Sequence, residues 1–239
     1  MTDSIPSTPD QLEPRRLVAI FLAVSSVLFL ASLGQTVVTT ALPVILGDLG
    51  GMDQITWVIT AYLMAATVSA PVFGKLGDLF GRKIVMQCGI GVFLAGSVLC
   101  ALAPELWVLV AGRFVQGLGG GGLIVSSMAT VADNVSPRER GRYQGILGSV
   151  FGLSTVVGPL AGGFIVQHWD WQWIFLINLP LGLAALTVLT LALDGTRRNT
   201  RVSIDYAGAA SLTGVLSLTV LTASLGGSVL PWSSPLIIG

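Results

Sequence analysis

Long apolar runs separated by short polar gaps extend along most of this 239-residue chain. A helix needs about 20 mostly apolar residues to cross the roughly 30 Å of hydrocarbon in a lipid bilayer. The pattern therefore predicts an all-α membrane protein with seven spanning helices. The runs that are long enough comprise residues 17–46, 55–73, 84–103, 106–132, 145–167, 173–193 and 206–226.

The basic residues lie almost entirely in alternate gaps between these apolar runs. Eleven of the twelve Lys and Arg residues lie in every second gap, and the intervening gaps contain no Lys or Arg. Loops that stay in the cytoplasm retain Lys and Arg during insertion. We therefore expect a multi-pass protein of the cell membrane whose N-terminus is cytoplasmic. The basic gaps contain Arg15 and Arg16; Lys75, Arg82 and Lys83; Arg138, Arg140 and Arg142; and Arg197, Arg198 and Arg201.

The spans and gaps divide the chain into four parts. Residues 1–14 are rich in Pro, Ser, Thr and Asp and predict a disordered cytoplasmic tail. Residues 15–194 are expected to form a six-helix bundle, residues 195–205 a cytoplasmic loop, and residues 206–239 a seventh helix and the start of an eighth. The last apolar residues open a helix that stops at once, so we expect a truncated chain.

Composition narrows the class of protein. Only 10% of the residues are charged, whereas a soluble domain typically carries about 25%. The basic residues are spread over four short segments, which argues against nucleic acid as a partner, because nucleic-acid binders cluster such residues on one surface. Cys88 and Cys100 share the third predicted helix and indicate packing residues, neither a disulfide framework nor a metal site.

One glycine-rich segment matches a nucleotide-binding pattern by spacing alone. Residues 117–122 satisfy G-x-G-x-x-G, a motif that binds dinucleotides only where a strand meets a helix N-terminus. No strand pattern surrounds the segment. Because the sequence also lacks a nucleophile–base pair, a phosphate-binding loop and a metal-ligand cluster, it predicts neither an enzyme nor a bound cofactor or metal.

Arg113, the twelfth basic residue, lies inside the fourth apolar run. A cation within a membrane span costs at least about 2.5 kcal/mol, so its side chain must face protein or a water-filled cavity. There it is placed to bind an anionic group, to act on a nearby carboxylate or to organise a proton path. The alternative is a structural role, in which Arg113 holds helices together through hydrogen bonds to Gln116 or Gln35.

Small residues are concentrated around the fifth span. Helices in lipid associate through close contact at small residues, so each glycine taken alone indicates tight packing. A proline inside a helix removes a hydrogen-bond donor and favours a kink. Together these residues predict a helix that bends or shifts. They are Gly141, Gly145, Gly148, Gly152, Gly158, Pro159, Gly162 and Gly163.

Four segments resemble motifs of the major facilitator superfamily, and in particular of its fourteen-span drug:proton antiporter branch. Residues 74–83 (GKLGDLFGRK) are similar to the loop signature G-x-L-a-D-r-x-G-r-k of the superfamily. Residues 36–43 (TVVTTALP) resemble the first-helix motif of the branch, residues 113–117 (RFVQG) its fourth-helix motif, and residues 152–163 its fifth-helix antiporter motif. The likeness covers essentially the whole chain.

The resemblance implies an N-terminal six-helix bundle of major facilitator type, made of two three-helix units of inverted topology, and a seventh helix. It implies secondary export of small, amphipathic, often cationic compounds by alternating access, coupled to proton antiport. Such relatives carry a second bundle. The expected partners are therefore a small-molecule substrate, the lipid bilayer, protons and a C-terminal half or partner chain.

The resemblance also implies three groups of functional residues. Asp78 is expected to cap the third helix. Arg82 and Lys83 are expected to pair with Asp78 or with residues on a neighbouring helix, in a latch between inward- and outward-facing states; a static turn is the alternative. The latch is assigned Gly74, Asp78, Gly81, Arg82 and Lys83; the substrate and proton pathway Arg113, Gln35 and Gln116; and the antiporter-type helix motif Gly152, Gly158, Pro159, Gly162 and Gly163.

One departure from the family pattern bears on coupling. The first-helix motif usually reads L-D-x-T, whereas this chain has Leu33-Gly34-Gln35-Thr36. No acidic residue falls near the centre of a predicted span, so either the coupling acid lies in a later helix or the chain is not proton-coupled. Two alternative functions remain open: an exporter or uniporter of one specific metabolite, and a non-transporting or partner-dependent half-transporter fragment.

Overall fold

A computed structural model describes residues 14–51, 54–193 and 206–225 of the chain. Six helical stretches of this part are long and apolar enough to cross a membrane. The all-α membrane fold predicted from the sequence is confirmed. The described helices are α1 (Pro14–Leu49), α2 (Ile55–Phe80), α3 (Arg82–Ala101), α4 (Leu106–Asn134), α5 (Arg140–His168), α6 (Trp173–Leu176), α7 (Asn178–Ala192) and α8 (Tyr206–Leu225).

Most predicted spans coincide with one helix that extends by several residues into the polar flanks. The sixth span differs, since it is divided at Ile177 between α6 and α7. Pro180 lies in the first turn of α7 and has no backbone N–H to donate to the residues before it, which accounts for the interruption. Pro14, expected in the tail, belongs to α1. The rest of the predicted tail, the loop at 195–205 and the chain after residue 225 lie outside the described residues.

Helix α4 lies at the centre of the bundle, between α2 and α3. Its glycine run makes this position possible. A Cβ on Gly121 would collide with the backbone of Ala66 in α2, and a Cβ on Gly119 would lie 2.6 Å from the backbone nitrogen of Phe93 in α3. The segment that matches the dinucleotide pattern is therefore a helix-packing surface, on which two backbones approach closely.

Two apolar clusters fill the interior. One includes Leu28, Phe93 and Leu123, and the other includes Leu42 and Leu109. Along α1, α3 and α4 the first cluster occupies one end of the helices and the second occupies the other, and in the sixth span the first cluster includes residues of α7 and the second residues of α6. Most of the buried polar side chains lie between the two clusters along the helix axes.

The two ends of the bundle differ in chemistry. The junction of α2 and α3 carries Arg82, whereas the opposite end carries two tryptophan pairs. The ring centroids are 6.3 Å apart for Trp57 and Trp107, and 6.4 Å apart for Trp169 and Trp173. Tryptophan is enriched at membrane–water interfaces. These rings therefore mark one edge of the apolar slab.

Candidate functional site

A layer of polar side chains crosses the bundle between the two apolar clusters. Arg113 is at its centre and is only 3% exposed. Its Nη1 donates to the backbone oxygen of Gly34 at 3.2 Å and to Oε1 of Gln116 at 2.6 Å. Its guanidinium carbon lies 4.2 Å from the ring centroid of Tyr62, within the range of a cation–π interaction. Arg113 therefore joins α1, α2 and α4.

Gln116 extends this layer to two further helices. Its Nε2 donates to Oγ of Ser97 in α3 at 2.7 Å, and Nδ2 of Asn178 in α7 donates to the same oxygen at 3.3 Å. Sequence analysis missed Tyr62, Ser97 and Asn178. A single polar residue in an apolar run gives no indication of a partner that lies 81 residues away, as Asn178 does from Ser97.

The first helix contributes its backbone to this layer. The sequence predicts Gln35 as a pathway residue beside Arg113, but the bond goes to the carbonyl of Gly34, and the half-buried Gln35 side chain is not among the described partners of Arg113. A Cβ on Gly34 would lie 2.5 Å from Cζ of Phe93. The lack of a side chain at this position thus lets the aromatic ring of α3 pack directly on α1.

Two buried polar atoms of the layer have no hydrogen-bond partner among the described residues. They are Nε of Arg113 and Oδ1 of Asn178. Buried polar atoms in folded proteins are nearly always paired, with protein groups or with bound water. The layer therefore keeps one donor and one acceptor that suit a water molecule or a ligand group.

At the end of the bundle opposite the tryptophans, Arg82 binds three acceptors. Its Nη2 lies 2.6 Å from Oδ1 of Asp78, its Nη1 donates to the backbone oxygen of Gly74 at 3.1 Å, and its Nε donates to Oδ2 of Asp133 at 3.0 Å. Asp133 is in the last turn of α4 and was not predicted as a site residue. Arg82 pairs with Asp78 as expected, and it also ties α4 to the junction of α2 and α3.

The expectation that Asp78 caps the third helix is wrong. Helix α2 continues to Phe80, so Asp78 lies in its last turn, and the residue before α3 is Gly81, whose φ of +91° few other residues adopt. A carboxylate at a helix C-terminus is unfavourable by itself, and Arg82 compensates for it. A Cβ on Gly77 would lie 2.5 Å from Nη1 of Arg82, so the glycine leaves room for the guanidinium in this position.

Lys83 binds a different helix from Arg82. Its Nζ donates to the backbone oxygen of Thr190 at 2.8 Å, and Nε2 of Gln87 donates to Oγ1 of Thr190 at 2.8 Å. Thr190 lies in the last turn of α7, where carbonyl groups lack intrahelical donors and favour a cation. Lys83 therefore caps α7, which agrees with the alternative expectation that it binds a residue on a neighbouring helix and not Asp78.

A cavity of about 240 Å³ opens beside these residues. Its walls include Arg16, Asp78, Arg82, Lys83 and Asp133. The charged groups of α1 to α4 at this end of the bundle thus face a common space. Ion pairs here are in contact with solvent, since the Asp78 side chain is 50% exposed and that of Asp133 is 33% exposed.

One face of α5 packs tightly against α1. A Cβ on Gly158 would collide with the side chain of Thr36, and a Cβ on Gly162 would also collide with α1. Oγ of Ser32 donates to Oγ of Ser154 at 2.7 Å in the same contact. The predicted close packing is thus present at two of the four motif glycines.

The other face of α5 is open. No atom of another described helix lies within 4 Å of a Cβ placed on Gly152 or Gly163, so the described residues provide no close packing at these two glycines. The helix continues through Pro159 from Arg140 to His168. The same openness is found at Gly141, Gly145 and Gly148.

Comparisons with known proteins agree with this architecture. Residues 24–238 match the model of the Major Facilitator Superfamily. An uncharacterized MFS-type transporter of Mycobacterium tuberculosis is 41% identical over 95% of this chain and 33% of its own length. The multidrug transporter protein MdtP of Bacillus subtilis is 40% identical over 89% of this chain and 39% of its own length. The efflux pump FUS6 of Gibberella fujikuroi is 41% identical over 98% of this chain and 45% of its own length.

Solved structures share the fold at low sequence identity. The human organic anion transporter MFSD10 superposes with a TM-score of 0.70 at 20% identity, over 96% of this chain and 59% of that one. The xylose transporter XylE of E. coli gives a TM-score of 0.66 at 14% identity, over 89% of this chain and 56% of that one. This chain spans 33% to 45% of the length of the curated relatives described above. Because the family match covers most of its residues, the chain belongs to the Major Facilitator Superfamily and is a multi-pass membrane protein.

Proposed function

We propose that this chain is the N-terminal half of a secondary transporter that exports small amphipathic compounds by alternating access, with proton antiport as the energy source. The observation that carries the proposal is the polar layer around Arg113, enclosed between apolar clusters. A buried charge in a membrane span is costly and marks a functional site by default. The names of the relatives MdtP and FUS6, a multidrug transporter and an efflux pump, support export.

The charged network at the α2–α3 junction is the proposed latch. We assign Gly74, Asp78, Gly81 and Arg82 to this latch, and the contact of Arg82 with Asp133 adds α4 to the group. These ion pairs are partly exposed, and exposed pairs contribute only about 0–1 kcal/mol each. Such weak pairs suit a contact that breaks and re-forms in each cycle.

The proposed site and latch need a second bundle to enclose a substrate. In transporters built from repeats, substrates bind near the bilayer midplane at the interface between the repeats. The open face of α5, with Gly152 and Gly163, is one surface that a C-terminal half would cover. The distribution of basic residues supports a cytoplasmic position for the N-terminus of α1 and for the Arg82 network.

Export by the full-length protein that contains this chain tests the proposal. Cells expressing it are loaded with a panel of fluorescent amphipathic dyes, and efflux is compared with that of Arg113→Ala and Arg113→Lys. We expect Arg113→Ala to lower the efflux rate at least tenfold, because the layer loses its central charge and the contacts of Arg113 with α1 and α2. Arg113→Lys is expected to retain part of the rate.

The matched control is Arg142→Ala, which removes an exposed arginine near the start of α5. Its efflux is expected to stay near the wild-type value. Full export by both Arg113 variants at wild-type membrane levels would remove Arg113 from the pathway. A full-length protein that exported no dye of the panel would contradict the proposed function itself.

A transporter of one specific metabolite, without proton coupling, is the second candidate. It is favoured by one observation: all six acidic residues in the described part of the chain lie within two residues of a helix end. Proton flux measured in vesicles separates the two candidates. Drug-stimulated proton movement supports the antiporter, and its absence during measurable export supports the uniporter or metabolite exporter.

A further inference from the structure

The charge of Arg113 is surrounded by uncharged groups. Its described contacts are the carbonyl of Gly34, the amide oxygen of Gln116 and the ring of Tyr62. Its Nε is buried and makes no hydrogen bond with any described residue. These contacts orient the guanidinium but do not neutralise it. The polar layer therefore carries a net positive charge in a region from which water is largely excluded.

No acidic residue in the described part of the chain is placed to neutralise this charge. Arg113 is seven residues into α4, which corresponds to about 10 Å from the start of that helix at 1.5 Å per residue. Asp48, Glu105 and Asp170 are at the ends of helices on that side of the bundle. Asp78 and Asp133 are at the opposite side, where both bind Arg82.

Position 34, at which the family motif usually reads Asp, is closed to a side chain in this chain. Residue 34 is glycine, and any side chain there would begin 2.5 Å from Cζ of Phe93. Phe93 is itself completely buried in an apolar cluster. The aromatic ring thus fills the volume that a carboxylate at position 34 would need.

An uncharged polar stripe of α1 adjoins the charged layer. Gln35 follows Gly34 directly and is half-buried, and Thr39 lies one turn further along the same face and is exposed. Both side chains carry hydrogen-bonding groups on a membrane helix. They are suited to line a hydrated cavity once a second bundle faces them, and a bound molecule there would feel the field of Arg113.

We propose that the compound transported by the full-length protein carries an anionic group, a carboxylate in particular, and that Arg113 is its counter-charge. This inference rests on the proposed transport function and narrows its substrate class from amphipathic compounds in general to organic anions and zwitterions. In a site of low dielectric constant an unpaired guanidinium attracts an anion and repels a cation strongly. Cationic compounds without an acid group are therefore poor substrates.

Two dyes with the same skeleton test this charge preference. Rhodamine 110 carries a free carboxylate, and rhodamine 123 is its methyl ester. We measure efflux of both dyes from cells that express the full-length protein, and binding of both to the purified protein by fluorescence anisotropy. For wild type we expect faster efflux and tighter binding of rhodamine 110.

Substitutions of Arg113 test whether the preference between the two dyes depends on its charge. Arg113→Gln is expected to lower the preference ratio, rhodamine 110 over rhodamine 123, at least tenfold. Arg113→Lys keeps the charge and is expected to retain part of the ratio. The control Arg142→Gln removes an exposed arginine and is expected to leave the ratio unchanged. A ratio separates charge recognition from a general loss of folding, since misfolding lowers both dyes alike.

Failure of the anion inference and failure of the proposed transport function give different results. Wild-type preference for the ester, an unchanged ratio in Arg113→Gln, or binding of neither dye would overturn the anion inference. Export that does not distinguish the dyes leaves the transport function standing and rejects only the inference. Binding of rhodamine 110 that depends on Arg113, without movement of either dye, supports the inference and contradicts transport.

Discussion

At the scale of single residues, glycine decides where the helices meet. Gly121 of α4 allows the backbone of α2 to approach, and Gly34 of α1 allows the ring of Phe93 to do so. Gly152 of α5, by contrast, faces open space in the described part of the chain. Glycine lowers helix stability by about 1 kcal/mol relative to alanine. At the first two positions this cost is offset by close packing, and at the third it is not.

A pair of alanine substitutions tests this difference. Gly121→Ala is expected to lower the melting temperature of the purified full-length protein by several degrees, because overpacking costs about 1–3 kcal/mol. Gly91→Ala, in α3 where no atom of another described helix lies within 4 Å of a Cβ, is expected to leave it unchanged or raise it slightly. Thermal unfolding in detergent measures both. Equal melting temperatures for the two variants would show that α4 is not held at backbone contact distance.

The contact between Gly34 and Phe93 makes a second prediction. Gly34→Asp is expected to destabilise the protein strongly, because the carboxylate collides with a buried ring in an apolar cluster. In Gly34→Asp/Phe93→Ala the ring is gone and the acid lies near Arg113. The double variant is therefore expected to be more stable than the sum of the single changes, by an interaction of about 1–3 kcal/mol.

The same unfolding measurement on a second pair of substitutions provides the control for this double-mutant comparison. Gly91 lies in α3, and no atom of another described helix is within 4 Å of a Cβ placed there. An aspartate at position 91 would not contact the Phe93 ring, so Gly91→Asp/Phe93→Ala is expected to show additive effects. Additive effects at positions 34 and 93 would mean that the ring does not occupy the space of the missing acid.

At the scale of helices, one arginine connects three of them. Arg82 bonds to the last turns of α2 and α4 from the first position of α3. Neutralising one of the three acceptors of Arg82 leaves the other two bonds in place, so this end of the bundle is expected to become more mobile but not to unfold. Lys83, the next residue, fixes the C-terminus of α7 instead. The two adjacent cations thus hold α3 to opposite neighbours.

Asp133→Asn tests the link between α3 and α4. We expect the cavity beside the network to open more often, so that a cysteine at position 130, a buried site in its wall, reacts several-fold faster with a thiol reagent. Asp48→Asn makes the same chemical change at the other end of the bundle and is expected to leave the rate unchanged. Equal rates in Asp133→Asn and wild type would mean that this ion pair does not hold the cavity closed.

At the scale of the whole molecule, the bundle is divided along its axis. One apolar cluster, the polar layer, the second apolar cluster and the two chemically different ends follow one another. Because the tryptophan pairs and Arg82 lie at opposite ends, the orientation in the membrane follows from the distribution of basic residues. The end that carries Arg82 is expected to face the cytoplasm.

Cysteine labelling in intact cells checks this orientation. In a background without native cysteines, a membrane-impermeant thiol reagent is expected to label Asp170→Cys and to spare Ser136→Cys, which lies beside the basic residues before α5. Permeabilised cells provide the control, since both positions are exposed. Labelling of Ser136→Cys alone in intact cells would invert the topology.

The positions of the spans were predictable because each depends only on a local run of apolar residues. The pair Arg113 and Gln116 was also predictable, since residues three apart share a helix face. The contacts of Arg82 with Asp133 and of Asn178 with Ser97 were not, because they depend on how distant helices rotate about their axes. For the same reason, sequence spacing did not separate the packed Gly158 from the open Gly152.

The glycine run of α4 has a consequence for biogenesis. A segment rich in glycine that also carries Arg113 partitions into lipid less readily than its neighbours. Its packing partners, α2 and α3, precede it in the chain and leave the ribosome first. We therefore expect α4 to enter the bilayer efficiently only when those two helices are already there, so that the order of synthesis becomes part of what makes this sequence a membrane protein.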